Sequence, residues 1–230
     1  VPLGRRKKVK YLSSSMVFEA TDRWPSHGGD ELAIPPPHSS YGFQKLAVEY
    51  FARSAWEQYQ VPYTILRPFN CVGIGERRAI GDVDIRSGSV SLAMSHVVPD
   101  LIQKVLKGQD PLRILGSGDQ VRCYTYGGDL ARGIVTSLGL DAATNEDFNL
   151  STSTATTVSE LAGLIWTRIC GPDRPLSLEY EEPYPHDVQQ RIPDVSKARD
   201  LLGFVAETPI EEVLDELIPW IISAIEEKLI

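Results

Sequence analysis

Residues 61–69 read Val-Pro-Tyr-Thr-Ile-Leu-Arg-Pro-Phe, and Asn70-Cys71-Val72-Gly73 follow as a turn-forming exit. A short apolar run bounded by turn residues is the pattern of a strand buried in the middle of a sheet. Upstream of it, the sequence predicts a helix over 41–59. Pro35-Pro36-Pro37 cannot lie inside that helix, so it starts after them, with Ser39 or Ser40 as its N-cap. Leu46, Ala47, Tyr50, Phe51 and Ala55 recur at helical spacing and mark the face expected to meet the core. Earlier still, Val9–Leu12 is a short apolar strand that runs into Ser13-Ser14-Ser15, followed by a polar loop rich in glycine and proline over 21–38.

The same alternation continues downstream. A charged surface loop is expected over 75–91. Helices are predicted over 97–107, 129–138, 158–169, 196–202 and 210–229, and strands over 112–115 and 147–150. Gly203 is placed to stop the helix over 196–202, and Pro219 to bend the last one. The proline-rich stretch 171–193 shows little periodicity. Strands alternating with helices at this spacing predict an α/β fold.

Composition narrows the function. The 230 residues are 42% hydrophobic and 23% charged, as in ordinary globular proteins. No run approaches the length of a membrane span, and residues 1–10 are basic without an apolar segment behind them. Against 31 acidic residues stand 23 lysines and arginines, a net charge of −8, so duplex nucleic acid is not an expected partner. Cys71, Cys123 and Cys170 have neither disulfide-framework nor metal-ligand spacing. They are read as core thiols of a cytoplasmic protein, and no metal is expected.

Tyr41-Gly42-Phe43-Gln44-Lys45 is a Tyr-x-x-x-Lys at the start of the first long helix. Residues four apart share a helical face, so the ammonium reaches the phenol, and a neighbouring cation favours a phenolate. The serine run lies at the C-terminal end of a strand, where α/β sheets place their ligands. A hydroxyl there meets the same substrate oxygen as the phenol.

In the order Ser13-Ser14-Ser15, Tyr41-x-x-x-Lys45 and Arg67-Pro68-Phe69-Asn70, the chain resembles the extended short-chain dehydrogenase/reductase family, in its nucleotide-sugar epimerase and dehydratase branch. The likeness continues through Val98-Pro99, the run from Ile114 to Asp119, Arg122, Asp129-Leu130-Ala131, Phe148-Asn149-Leu150 and Arg191-Ile192-Pro193-Asp194. It implies a partial Rossmann domain, a doubly wound parallel sheet, with a smaller α/β substrate-binding part. The Rossmann part is expected over 1–72 and 123–150, the sugar-nucleotide part over 73–122 and 151–230.

The resemblance also implies roles. Tyr41 is the acid/base, and Lys45 the cation beside it that also meets the nicotinamide ribose of NAD. Ser15, with Ser14 as the lesser choice, holds the reacting oxygen, Ser13 joins the cofactor contacts, and Phe69 lies against the nicotinamide. Asn70, Arg122 and Arg191 contact the nucleotide diphosphate, and Asp194 its ribose. The arginines suit this chemistry, because a guanidinium grips phosphate with paired donors. A homodimer through the 41–59 helix is expected, because that helix carries more apolar surface than one core face covers.

Three departures qualify the pattern. Met16 follows the serines where decarboxylating and 4,6-dehydrating relatives carry an acid. Cys123 follows Arg122 where the family has aspartate. The family's glycine-rich pyrophosphate turn is absent, since Gly28-Gly29 and Gly116–Gly118 neither follow a strand nor open a helix. The Val9–Leu12 strand therefore lacks its expected preceding neighbours, and these residues alone are not expected to complete the reaction. The preferred function is C4 epimerisation of a UDP-sugar through a 4-keto intermediate. The alternatives are a 4-keto reductase or dehydratase of the same family, or a non-catalytic sugar-nucleotide-binding module.

Overall fold

The computed structural model describes residues 8–74, 85–87, 90–92, 96–183 and 187–227, with the backbone alone at 85–87 and 90–92. Along the chain run β1 (Val9–Leu12), α1 (Ser40–Tyr59), β2 (Tyr63–Pro68), α2 (Val97–Leu106) and β3 (Leu112–Leu115). These are followed by α3 (Gly127–Gly139), β4 (Glu146–Leu150), α4 (Val158–Cys170), β5 (Leu178–Glu181), α5 (Ser196–Leu202) and α6 (Ile210–Glu226), besides shorter pairings. The chain divides into two compact units.

The first unit holds residues 1–71, 122–155 and 190–207. Its sheet is parallel, in the order β1-β2-β4, with Leu12 beside Leu66 and Pro68 beside Leu150. As the central strand, β2 is buried almost throughout, the reason its sequence is mostly apolar, with Thr64 and Arg67 as buried exceptions. Successive residues point to opposite faces. Ile65 meets Ala52 of α1 with Trp56 packed beside it, whereas Leu66 joins Leu130 of α3, Phe148 of β4, and Ala198 and Leu202 of α5. Helices thus cover both faces of a parallel sheet, a Rossmann-like arrangement.

Segment 190–207, expected with the sugar-nucleotide part, packs with this unit. Ala198, Leu202 and Phe204 are buried against β4, and Gly203 at φ +64° ends α5 in the left-handed conformation that turns the chain back.

The second unit holds 72–121, 156–189 and 208–230. Helices α2, α4 and α6 pack on one another through Val98, Leu101, Ile102, Leu161, Ile165, Leu214, Leu217 and Ile221. A capping box starts α4, with Thr157 accepting from the Glu160 amide while Glu160 accepts from Thr157. The stretch 171–193 does contain a strand: β5 pairs parallel with β3, Leu178 beside Leu112. Its sequence, Leu-Glu-Tyr-Glu, alternates as a strand should, but the run is only four residues long, largely exposed and set among prolines. α6 runs as one element through Pro219. The loop expected over 75–91 lies largely outside the described residues, save for an antiparallel pairing of Ile85–Ser87 with Val90–Leu92. Among the described residues, no helix is long and apolar enough to cross a membrane.

α1 does not bury the face its sequence suggests. Gly42, Leu46, Glu49 and Ala52 turn inward, while Tyr50 and Phe51 are exposed beside Phe43, Phe51 at 73%. The inward face is partly ionic, which an apolar count does not register. Of the cysteines only Cys123 is a core thiol, and burial pushes it up to about 12. Cys71 is exposed and Cys170 intermediate.

Candidate active site

The site stands at the C-terminal ends of the parallel strands, within the first unit. β1 ends at Leu12, and the Ser13 amide donates to the Leu66 carbonyl at 2.8 Å, carrying the sheet one residue into the serine run. The three serines then part company. Ser13 donates its hydroxyl to Glu49 Oε1 at 2.5 Å and is buried. Ser14 caps the 3₁₀ turn Ser15–Phe18 by accepting from the Met16 amide. Each of these hydroxyls thus has a partner within the fold, the Ser13 oxygen keeping acceptor capacity and the Ser14 hydroxyl its donor. Ser15 is also buried, and its hydroxyl takes part in none of the side-chain hydrogen bonds among the described residues.

Tyr41 lies in the first turn of α1 and is 46% exposed. One turn on, Lys45 Nζ stands 5.7 Å from the Tyr41 ring centre and donates to the Leu12 carbonyl at 2.8 Å. That bond ties the helix to the last residue before the serines, and α1, which carries Tyr41 and Lys45, packs on the turn that begins at Ser15.

The start of α1 is fixed from two sides. Ser39 caps it by accepting from the Gly42 amide at 3.1 Å, and Glu19 Oε2 accepts from both the Ser39 amide and hydroxyl at 2.9 Å. Gly42 lets the helix rest on the serine turn: a Cβ there would lie 2.8 Å from the Met16 carbonyl oxygen and 2.7 Å from Pro37 Cβ. Gly42→Ala is therefore expected to lower the melting temperature by roughly 3–10 °C, since overpacking costs about 1–3 kcal/mol. Calorimetry showing an unchanged melting temperature would refute this close fit.

Beneath the site lies a buried ionic cluster. Arg67 has no exposed surface and binds Glu49 through two nitrogens at 2.8 and 2.7 Å, Glu31 at 2.9 Å and Asp147 at 2.5 Å. Arg53 adds a bond to Glu31 at 2.6 Å, and Lys197 one to Asp147 at 2.6 Å. Burial raises the Glu31 carboxyl. Burial also acts upward on Asp147, but Arg67 and Lys197 outweigh it and hold that carboxyl at about 2. Glu49 joins Ser13 and Arg67, so one side chain links the serine turn, α1 and β2.

The residues assigned to the nucleotide are divided. Arg191 Nη2 lies 2.9 Å from Met16 Sδ, beside the serine turn. The charges of Arg122 and Arg191 both act on the Tyr124 phenol, which burial pushes up to about 12. Asn70 turns the chain at φ +35°, with its Nδ2 buried and without a hydrogen-bond partner. Asp194 Oδ1 accepts from the Ser196 amide and hydroxyl, and Oδ2 lies 3.7 Å from His27 Nδ1. Phe69 is not brought to the site. It is fully buried with Val17, Phe18 and Leu46, its ring 6.1 Å from that of Phe18, so the expected nicotinamide contact has no exposed surface to serve it.

For a dinucleotide, the residues present fit one end. The exposed Tyr41 and the Lys45 ammonium offer a hydroxyl and a cation at the strand ends, where a nicotinamide ribose would lie. The glycines at 116 and 118 provide no pyrophosphate cradle, because the space a Cβ would take is filled by Gln120 and Ser159.

Fold and site together define a Rossmann-like protein with a serine, tyrosine and lysine gathered at its strand ends. Residues 3–151 match the NAD dependent epimerase/dehydratase family, and the chain belongs to that family. It is 30% identical over 200 residues to a UDP-glucose 4-epimerase of Rhizobium leguminosarum bv. trifolii, covering 83% of this chain and 58% of the relative. It is 26% identical to a UDP-N-acetyl-alpha-D-glucosaminuronate decarboxylase of Bacillus cytotoxicus, covering 95% of this chain and 64% of the relative. The crystal structure of the Thermotoga maritima UDP-glucose 4-epimerase with UDP-glucose superposes with a TM-score of 0.74 at 27% identity, covering 95% of this chain and 64% of that one. The chain thus spans between half and two thirds of the length of these relatives.

Proposed function

We propose that the protein is an NAD-dependent epimerase that inverts C4 of a UDP-sugar through a 4-keto intermediate. The observation that carries this reading is Lys45, bonded to the Leu12 carbonyl with its ammonium 5.7 Å from the Tyr41 ring, at the mouth of the turn that holds Ser15. In the reaction, the Tyr41 oxygen takes the proton of the sugar 4-hydroxyl while Ser15 donates a hydrogen bond to the same oxygen. Lys45 holds a positive charge beside them. NAD, which Tyr41 and Lys45 would hold by its nicotinamide ribose, would supply reversible hydride acceptance. Tyr41 gives its proton back to the inverted alcohol. Arg122 and Arg191 hold the diphosphate by charge-assisted hydrogen bonds, and Asn70 adds its unpartnered amide. A fixed diphosphate lets the flat keto sugar turn without leaving.

Met16 supports epimerisation over decarboxylation or 4,6-dehydration. A thioether occupies the place after Ser15 where the resemblance puts the extra acid of those reactions, and Arg191 lies against its sulfur. The test is NMR of the full-length protein with NAD and UDP-glucose or UDP-glucuronic acid. The C4 epimer is expected, without net NADH. Carbon dioxide release, or a product formed only with consumption of reduced cofactor, would overturn the reading.

Assembly is part of this proposal. Phe43, Ala47, Tyr50 and Phe51 line a shallow apolar groove on α1 with Pro36, and a second copy of the chain is the occupant expected from the family resemblance. Phe51→Glu is expected to convert a dimer to a monomer in sedimentation at micromolar concentration. A wild-type monomer would count against it.

A further inference from the structure

The segment that carries Arg191 and Asp194 is held in place from outside the expected site residues. It pairs in parallel with the loop after the serine turn: the Ser26 amide donates to the Ile192 carbonyl, and the Asp194 amide to the Ser26 carbonyl, each at 2.9 Å. Trp24 Nε1 donates to the Gln190 carbonyl at 3.0 Å. A third element closes the clamp. Asn149, next to last in β4 and buried, donates through Nδ2 to the carbonyls of Ser26 at 3.0 Å and Asp194 at 3.1 Å.

The chemistry of that contact is specific. A primary amide offers two N–H donors from one nitrogen, and both are aimed at backbone oxygens of different segments. The other end, Oδ1, is buried without a partner, so the side chain is kept there for its donors. An aspartate of the same shape donates nothing when ionised and repels both carbonyls.

We propose that Asn149 is a positioning residue for nucleotide binding: by pinning Ser26 and Asp194 to the end of β4, it sets where Arg191 and Asp194 meet the diphosphate and ribose beside Ser15. The inference rests on the nucleotide-sugar reading. The loop over 21–38 then acts in recognition without touching substrate, as the partner strand of the segment that does. Trp24, 39% exposed, reports on the same clamp from its outer edge.

The test uses the full-length protein and UDP as the probe, with calorimetric affinity, the KM and kcat of the UDP-sugar, and NAD content measured for each variant. Asn149→Asp is expected to weaken UDP binding and raise KM by about tenfold or more, with kcat within about threefold and NAD content unchanged. Loss of binding with kcat kept is the mark of a positioning role, and general weakening of the fold does not produce it. Trp24→Phe keeps an aromatic ring, though a smaller one, and removes the outer donor, and is expected to weaken UDP binding by roughly threefold. It decides the matter should Asn149→Asp fail to fold. UDP affinities within about twofold of wild type would overturn the pin and leave the nucleotide-sugar reading standing. A wild-type protein that binds neither UDP nor another nucleoside diphosphate would overturn both.

Discussion

Tyr41→Phe is expected to lower turnover of the UDP-sugar by roughly 10²–10⁴-fold, the range for losing a positioned acid/base, and to leave UDP-sugar affinity nearly unchanged. The asymmetry follows from the placing of the side chain. Tyr41 is half-exposed in the first turn of α1, and its helix is held by the Ser39 cap, by Glu19 and by the close fit at Gly42. None of these involves the phenol oxygen, so its removal leaves the helix start intact. In the proposed reading, the diphosphate is held by Arg122 and Arg191 from other segments. The measurement is kcat by NMR alongside calorimetric affinity. A variant within about threefold of wild-type turnover would remove Tyr41 from the chemistry. Lys45→Met offers a second check, because Lys45 also ties α1 to Leu12. It is expected to lower turnover and the melting temperature together.

The sequence discloses the elements better than the faces they bury. β2 was readable because a central parallel strand has to be apolar along its whole length, and the serine turn, the Tyr41–Lys45 pair and the arginines stood at recognisable spacings. What stayed hidden was ionic. α1 buries Glu49 and half-buries Arg53 because Arg67 and Glu31 wait for them, and no apolar period records that. The count therefore placed Tyr50 and Phe51 inside when they are outside. One sign was visible: a lone arginine in an otherwise apolar strand requires buried carboxylates, and Glu49 sits at the spacing of Gly42 and Leu46. The serines show the same limit. Their order in the sequence is plain, but the partner of the Ser13 hydroxyl is Glu49, 36 residues on, which only tertiary structure brings to it. The packing of segment 190–207 was not legible either, because nothing local reveals that Ser26, far back in the chain, is its partner.

Arg67→Met is expected to destabilise the protein by about 3–5 kcal/mol, the cost of breaking a buried ion pair from one side. For a protein of this size that is a fall in melting temperature of roughly 10 °C or more. The variant strands three carboxylates. Glu49 and Glu31 keep Arg53 as their cation, beside single hydrogen bonds from Ser13 and Gly29, and Asp147 keeps Lys197 with Glu146 competing for it. Methionine fills the volume, so the loss is electrostatic and has a signature in pH. In the wild type, Asp147 lies at about 2 against an ordinary 3.8, the Arg67 and Lys197 charges prevailing over burial. A depressed carboxyl contributes stability above its unfolded value, and that contribution fades as pH falls from about 4 to 2. In the variant, burial prevails and the stranded carboxyls prefer their protonated forms, so acid relieves them. The stability gap between wild type and variant should therefore be widest near neutrality and close as pH falls below about 4. Chemical denaturation at several pH values tests this. A gap that stays constant down to pH of about 2.5 would mean that Arg67 acts through packing alone, and that the carboxylates around it do not depend on its charge.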